Sequence, residues 1–250
     1  MKYTGLWVGG LCLLCACSSP QKAPIDYVDP FIGTGFHGHT YPGATAPFGA
    51  VQLSPDTRRG NWDASSGYHY SDSTILGFSH THLSGTGCQD LGDVLLRPTT
   101  QPVRTEGEGD IFLPAAFSHD SEKASPGYYA VTLADEQIKV ELAASTFAGM
   151  HRYSYLNDKD ASVIVDLTHI LNTDDFIYEA EVKQTADNEL VGMRRTRSWV
   201  DNQYIYFVLQ FSKPIQELQQ INEKQAVARF GQERELIAKV GLSIVSVENA

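Results

Sequence analysis

The amino-acid sequence predicts an all-β protein, built as a large antiparallel β-sandwich. From Gly127 onward, short segments alternate apolar and polar residues with the period of two that a strand with one buried face requires. Turn-forming pairs such as Asn157-Asp158, Asp187-Asn188 and Asp201-Asn202 separate these segments. Amphipathic helix is hard to find: the best candidate, 219–228, is short and lacks a wide apolar stripe.

Residues 1–17 have the features of an export signal. Lys2 supplies a positive charge, and the apolar run that follows is shorter than the roughly 20 residues that a membrane-spanning helix needs. The run ends in Leu14-Cys15-Ala16-Cys17-Ser18-Ser19, which resembles a bacterial lipoprotein box with Cys17 as the lipidated residue. We therefore expect an exported protein, held by a lipid anchor at the bacterial cell envelope, in the periplasm or at the cell surface. A plain secretory signal is the alternative.

The remaining chain divides into a short polar tether, 18–25, and one predicted sandwich domain, 26–250. Loops are expected from Ile25 to Leu53, because this stretch is rich in glycine and broken by three prolines. Strands are expected at 129–133, 138–142, 162–167, 178–183, 191–197, 204–211 and 240–247.

Composition limits the partners and the covalent chemistry. The formal net charge of -11 argues against nucleic acid, since phosphate backbones are bound by clustered Lys and Arg. Removal of the export signal leaves Cys88 as the one cysteine of the domain, so no intrachain disulfide is expected. Cys88 is then either a small buried side chain or a residue of a site.

The segment from Phe31 to Asp93 holds the candidate functional residues. Five of the eight histidines lie here, with Trp62 and several aspartates, on glycine-rich loops. Aromatic rings stack on the apolar face of a sugar, while imidazole and carboxylate groups bond its hydroxyls, so these types suit a concave sugar site. The pairs His37-Gly38-His39 and His80-Thr81-His82 also permit zinc, because residues two apart on an extended chain point the same way. Plain loop packing is the third interpretation.

Three other patterns give weaker indications of a functional site. Ser84 lacks the strand-turn-helix context of a nucleophile elbow, and Gly85-Thr86-Gly87 lacks that of a dinucleotide loop. Asp166, Asp174 and Asp175 are candidate rim carboxylates, although loop caps and solvated charges are more common at such positions.

Several long motifs of this segment, in one order, resemble the N-terminal signature of glycoside hydrolase family 92. They are Asp29-Pro30-Phe31-Ile32-Gly33-Thr34-Gly35, Thr40-Tyr41-Pro42-Gly43-Ala44, Pro47-Phe48-Gly49, Val51-Gln52-Leu53-Ser54-Pro55-Asp56, Ser66-Gly67-Tyr68-His69-Tyr70, and the run from Gly77 to Cys88 followed by Asp90-Leu91-Gly92-Asp93. Ala50 departs from the methionine that the family often has after Pro-Phe-Gly.

This resemblance implies an exo-acting α-mannosidase that inverts the anomeric centre, depends on calcium and acts on mannose-containing glycans. It implies a sandwich of the galactose-mutarotase-like supersandwich type, joined in the family to a C-terminal (α/α)₆ helical domain that holds both catalytic carboxylates and the calcium ligands. By resemblance, Phe36 and Trp62 are placed at the mannose-binding wall, with His37, Asp63, His80, His82 and Cys88 near it. No catalytic residue and no metal ligand is assigned to this chain.

The sequence is therefore expected to lack the helical domain and to be inactive alone, as a truncated gene product or one half of a split pair whose partner is encoded downstream. Two alternatives remain: a lipid-anchored carbohydrate-binding module without hydrolysis, and a purely structural sandwich. The linkage preference is left open.

Overall fold

The computed structural model describes residues 22–103, 111 and 113–250. The predicted export signal, with Cys17, and the first half of the tether lie outside these residues. The strands are β1 (Ala44–Thr45), β2 (Gln52–Asp56), β3 (Thr74–Ile75), β4 (Gly77–Ser79), β5 (Leu95–Thr99), β6 (Ala115–Ala116), β7 (Lys123–Ser125), β8 (Tyr128–Leu133), β9 (Ile138–Ala144), β10 (Ala148–Tyr155), β11 (Ala161–Asp166), β12 (Phe176–Ala186), β13 (Glu189–Arg197), β14 (Gln203–Phe211), β15 (Glu217–Asn222), β16 (Gln225–Gly231) and β17 (Glu235–Ser243).

Two large antiparallel sheets form the sandwich, and β3 and β6 pair separately as a two-stranded sheet. The seven-stranded sheet has the order β1-β2-β4-β5-β11-β16-β15, and the eight-stranded sheet has the order β12-β13-β14-β17-β10-β9-β8-β7. One continuous apolar core joins them, with Leu53 and Val163 from the first sheet and Val140 and Phe207 from the second. The predicted all-β antiparallel sandwich is confirmed. Helical structure in the described residues is limited to short 3-10 turns, and no helix there is long and apolar enough to span a membrane.

Six predicted strands are confirmed to within three residues at each end, as β8, β9, β11, β12, β13 and β14. The seventh, 240–247, is wrong at its end, because β17 stops at Ser243 and Val247–Asn249 form a 3-10 turn. The helix candidate 219–228 is also wrong. It forms the β15–β16 hairpin, whose turn is closed by Asn222: the side-chain oxygen of Asn222 accepts from the backbone N–H of Lys224 at 2.8 Å.

Two of the strands that escaped prediction, β10 and β5, carry polar or ring-hydroxyl side chains at buried positions. In β10 the inward residues include His151, Tyr153 and Tyr155, which hide the apolar alternation. In β5 the buried side chain of Arg97 pairs with Glu136 at 3.2 Å, and Pro98 removes a backbone donor from an interior strand.

The expected loops between Ile25 and Leu53 are largely present: only β1 and the start of β2 interrupt them as strands. Three loops adjoin the first strands of the seven-stranded sheet: 28–43 before β1, 57–73 after β2, and 80–94 between β4 and β5. All the predicted site residues of the domain lie in these loops.

Candidate functional site

A cluster of aromatic and polar side chains, exposed except for His39, lies where these loops meet. It consists of Phe36, His37, His39, Trp62 and Asp63, and we call it the aromatic wall. The rings of Phe36 and His37 lie 3.9 Å apart between centroids, those of His37 and Trp62 5.2 Å, and those of His39 and Trp62 4.3 Å. Phe36 is 78% exposed and Trp62 55%, although both are large apolar groups. Such exposure of a rigid aromatic cluster is typical of a binding surface.

Local backbone structure presents these side chains. Phe36 and His39 both adopt left-handed conformations, with φ of 54° and 56°, which few residues other than glycine tolerate. Trp62 opens a 3-10 turn, Trp62–Ala64, which Asn61 caps by accepting the backbone N–H of Asp63 at 3.0 Å. Asp63 in turn holds the His37 ring, with 2.5 Å between its carboxylate oxygen and Nδ1. The wall is therefore fixed by its own contacts.

Gly87 closes the wall from the third loop. A Cβ atom at Gly87 would lie 3.0 Å from His39 Nδ1 and 3.4 Å from Trp62 Nε1, and its φ of 62° is left-handed. Glycine therefore meets two requirements at this position: a strained backbone and a close approach to both rings.

Asp56 anchors the loops beneath the wall. Its side chain has no exposed surface, and its two oxygens lie 2.8 Å from His82 Nε2 and 2.9 Å from His169 Nε2. Burial alone would raise the pKa of Asp56, but the two imidazoles outweigh it and hold that pKa well below its ordinary value. Gly67 leaves the necessary room, because a Cβ there would meet the Asp56 carboxylate at 1.9 Å. Asp56 is thus an ionised structural anchor.

His80 belongs to a buried polar chain between the two sheets. Its Nδ1 donates to the carbonyl of Val94 at 2.6 Å, so its Nε2 accepts from His151 Nε2 at 3.0 Å, and the Tyr153 hydroxyl lies 2.9 Å from His151 Nδ1. Both histidines have no exposed surface. Burial lowers the pKa of His80 to about 4 and holds that of His151 well below its ordinary value, so both rings are neutral at neutral pH.

The predicted site residues thus fall into three places. Phe36, His37, Trp62 and Asp63 come together on the surface. His80 and His82 lie beneath it, in contact with the anchors just described. Cys88 lines a neighbouring cleft of 390 Å³ with Asp174, Asp175 and Trp199. Burial, together with the carboxylates of Asp90 and Asp175, raises the pKa of the Cys88 thiol and disfavours the reactive thiolate.

The paired histidines do not share ligand positions. His37 bonds Asp63, whereas His39 makes its ring contact with Trp62, a side chain that cannot bind a metal ion; His80 bonds His151 and His82 bonds Asp56. Within 22–103, 111 and 113–250, no three His, Cys, Asp or Glu side chains are arranged to hold a metal ion. Asp166, a candidate rim carboxylate, is buried and accepts from Thr168 and Gln225.

Sequence reasoning singled out neither His169 nor the role of Gly87. His169 pairs with Asp56 across 113 residues, a separation that no local pattern records. The positive φ of Gly87 is hinted at by its place in a glycine-rich loop, but its contact with Trp62 is not.

Comparison with known proteins gives a consistent result. A family model described as "Glycosyl hydrolase family 92 N-terminal domain" matches residues 27–243. The family GH92 α-mannosidase BT3965 of Bacteroides thetaiotaomicron, solved with mannoimidazole, superposes with a TM-score of 0.81 at 34% identity, over 90% of this chain and 33% of that one. The inverting mannosidase BT2199 of the same bacterium gives 0.71 at 25% identity, over 91% and 33%.

A curated relative, an uncharacterized secreted glycosidase of Arthroderma benhamiae, is 29% identical over 189 residues, 68% of this chain and 23% of its own length. The chain therefore spans about a third of its solved relatives and about a quarter of this one. Because the family model covers most of the described sandwich, this chain belongs to glycosyl hydrolase family 92, whose N-terminal domain it carries.

Proposed function

We propose that this domain forms one wall of the sugar pocket of an inverting, calcium-dependent exo-α-mannosidase that acts on mannose-containing glycans. The observation that carries the proposal is the aromatic wall: exposed rings of Phe36 and Trp62 beside the His37–Asp63 pair. BT3965 is an α-mannosidase and BT2199 an inverting mannosidase. Their similarity to this chain supports the substrate class, and that of BT2199 supports inversion.

The wall is suited to binding and orienting a sugar. The faces of Phe36 and Trp62 can cover the C–H face of a pyranose, a contact of the kind worth about 0.5–1.5 kcal/mol between rings. Asp63 fixes the His37 ring by its contact with Nδ1, which leaves Nε2 for a sugar hydroxyl.

The chemistry of inversion needs more than this wall. One carboxylic acid must protonate the leaving oxygen, and one carboxylate must activate water, with roughly 6.5–9.5 Å between them. Asp63 is occupied by His37, and Asp56 is sealed in the interior. We place the catalytic pair and the calcium ligands in the part of the relatives that this chain does not match, in a helical domain of the same or a downstream-encoded polypeptide. The described residues do not include a group of side chains arranged to bind calcium.

A carbohydrate-binding module without hydrolysis is the second candidate, because the wall is formed and exposed within this chain itself. Both proposals include export and lipid attachment at Cys17, which loss of metabolic lipid labelling in a Cys17→Ala variant would test.

The decisive experiment uses the full chain and an α-mannoside, with calcium or with a chelator, and measures both mannose release and binding. Binding without release is expected, and Trp62→Ala should weaken it about 2- to 10-fold. Trp199→Ala is the matched control, since Trp199 is 70% exposed outside the wall. Chelator-sensitive release would show that the chain holds its own catalytic groups. Equal mannoside binding by the parent chain, Trp62→Ala and Trp199→Ala would refute the role of the aromatic wall in sugar binding.

A further inference from the structure

A second cleft, of 400 Å³, opens on the other side of the loop that carries Phe36. Phe31, Ile32 and Tyr70 provide its apolar lining, and Asp29, His119 and Glu122 its polar lining. Asp29 accepts the backbone N–H of Phe31 at 3.0 Å. Tyr70 is tied to the loop, because its backbone N–H donates to the carbonyl of Thr34 at 2.8 Å. The cleft therefore shares one loop with the aromatic wall but uses different side chains.

Glu122 is the buried base of this cleft. Its side chain is 1% exposed and accepts the hydroxyls of Tyr129 at 2.5 Å and Tyr68 at 3.0 Å. Burial first, and then the charge of Glu122, raise the pKa of both tyrosines, so both remain protonated donors. These two hydroxyls hold the Glu122 carboxylate in place at the base of the cleft.

This carboxylate orients a partly exposed imidazole. His119 Nδ1 lies 2.5 Å from Glu122, so Nδ1 carries the hydrogen of this contact, and Nε2 is left for a ligand. Tyr70 stacks on the ring, with 4.2 Å between centroids and 17° between planes. His119 keeps 30% of its side chain exposed. A buried carboxylate that fixes the tautomer of an accessible histidine is the arrangement proteins use when imidazole must meet a ligand.

We propose that this cleft is a second sugar-binding site, which takes a neutral hexose residue through His119 Nε2 and the apolar lining. A hexose fits because it combines an apolar ring face with hydroxyl donors. The Glu122 charge would repel an anion. A cation would gain little from the same charge, because the hydrogen bonds from Tyr68 and Tyr129 already satisfy it. The site is separate from the aromatic wall; only the choice of mannosides as probes rests on the proposed function.

The test follows the imidazole Hε1 signals of the full chain by NMR during titration with mannose and with an α-linked mannobiose. The His119 signal, assigned by its absence in His119→Ala, should shift and saturate. It should behave identically in Trp62→Ala, while the His37 signal loses its response. Ile32→Arg places a long side chain at the mouth of the cleft from a position that is 73% exposed, so it should fold and abolish the His119 response alone.

A His119 signal that stays still at concentrations that saturate His37, or a chain in which neither signal moves, would overturn the second site. The proposal also fails if Trp62→Ala removes both responses, because the cleft would then not be separate. A response to glucosamine but not to mannosides would overturn the ligand class. A moving His119 signal with a silent His37 would support this cleft and count against the proposed wall.

Discussion

Gly85 and Gly87 offer a matched test of how the aromatic wall is held. Both have left-handed φ, of 72° and 62°, but a Cβ at Gly85 would meet nothing within 4 Å, whereas one at Gly87 would press on His39 and Trp62. We expect both alanine variants to lose about 1 kcal/mol of unfolding free energy from backbone strain. Only Gly87→Ala should also shift the Trp62 fluorescence and weaken mannoside binding. Urea unfolding and emission spectra measure this, and equal spectra for the two variants would argue against contact with the wall.

Asp56 contacts two buried histidines, His82 and His169, whereas Asp63 contacts the exposed His37. Asp56→Asn removes the buried carboxylate that both imidazoles contact, so we expect a loss of about 3–5 kcal/mol in unfolding free energy. Asp63→Asn changes a pair whose side chains are 48% and 36% exposed, and should cost under about 1 kcal/mol while weakening sugar binding. Denaturant titration gives the unfolding free energy of both variants and so separates the structural role of Asp56 from the surface role of Asp63. Similar losses would mean that Asp56 is not a structural anchor.

Acid should loosen the contact between the sheets. Because burial lowers the pKa of His80 from 6.5 to about 4, the unfolded chain binds more protons in that interval, and stability falls as pH falls. The loss from His80 alone is about 3 kcal/mol across the window. Asp56 acts in the same direction, but only below its ordinary pKa of 3.8. Urea midpoints between pH 7 and 4 should decline, and less steeply in His151→Gln. If the urea midpoint of His151→Gln fell with pH as steeply as that of the parent chain, the buried histidine pair would not be the cause of the acid sensitivity.

The sequence predicted which residues come together better than it predicted which of them are buried. Phe36, His37, Trp62 and Asp63 were predicted as neighbours and do meet, although their contact with sugar stays a prediction. His80 and His82 were placed near the same wall, yet both are buried. Local sequence says nothing about partners such as His151 and His169, which come from distant parts of the chain.

Strands were predictable where the apolar alternation is intact, as in β13 and β14, and failed where the core is polar, as in β10. The β15–β16 hairpin failed for another reason: all but two of the seven residues of β16 are buried, so its sequence shows no period of two.

Protection from hydrogen exchange should follow the position of each strand. All six residues of β11 are buried, and it lies between β5 and β16. β15 is an edge strand with no buried residue. We expect amides of 161–166 to exchange far more slowly than those of 217–222, as mass spectrometry of exchanged peptides would show. Equal rates would mean that the sheet opens as one unit.

At the scale of the whole molecule, an apolar cleft of 310 Å³ lies far along the chain from the wall, lined by Phe147, Ile205, Leu242, Ile244 and Val245. Phe147, Ile244 and Val245 are each at least 65% exposed. Exposed apolar patches favour association. We expect the isolated chain to self-associate as concentration rises, and a Phe147→Ser, Ile244→Ser double variant to reduce this in sedimentation velocity. A strictly monomeric parent chain would refute it.

The order of strands in the two sheets also governs how the chain must be made. The strands β1, β2, β4 and β5, which flank the wall loops, are complete by residue 99, but their sheet is joined to β11, β15 and β16, which end at residue 231. A growing polypeptide therefore exposes unsatisfied strand edges until residue 231 has been synthesised. This sheet cannot form segment by segment as the chain emerges. Until β16 is present, we expect its early strands to be prone to aggregation.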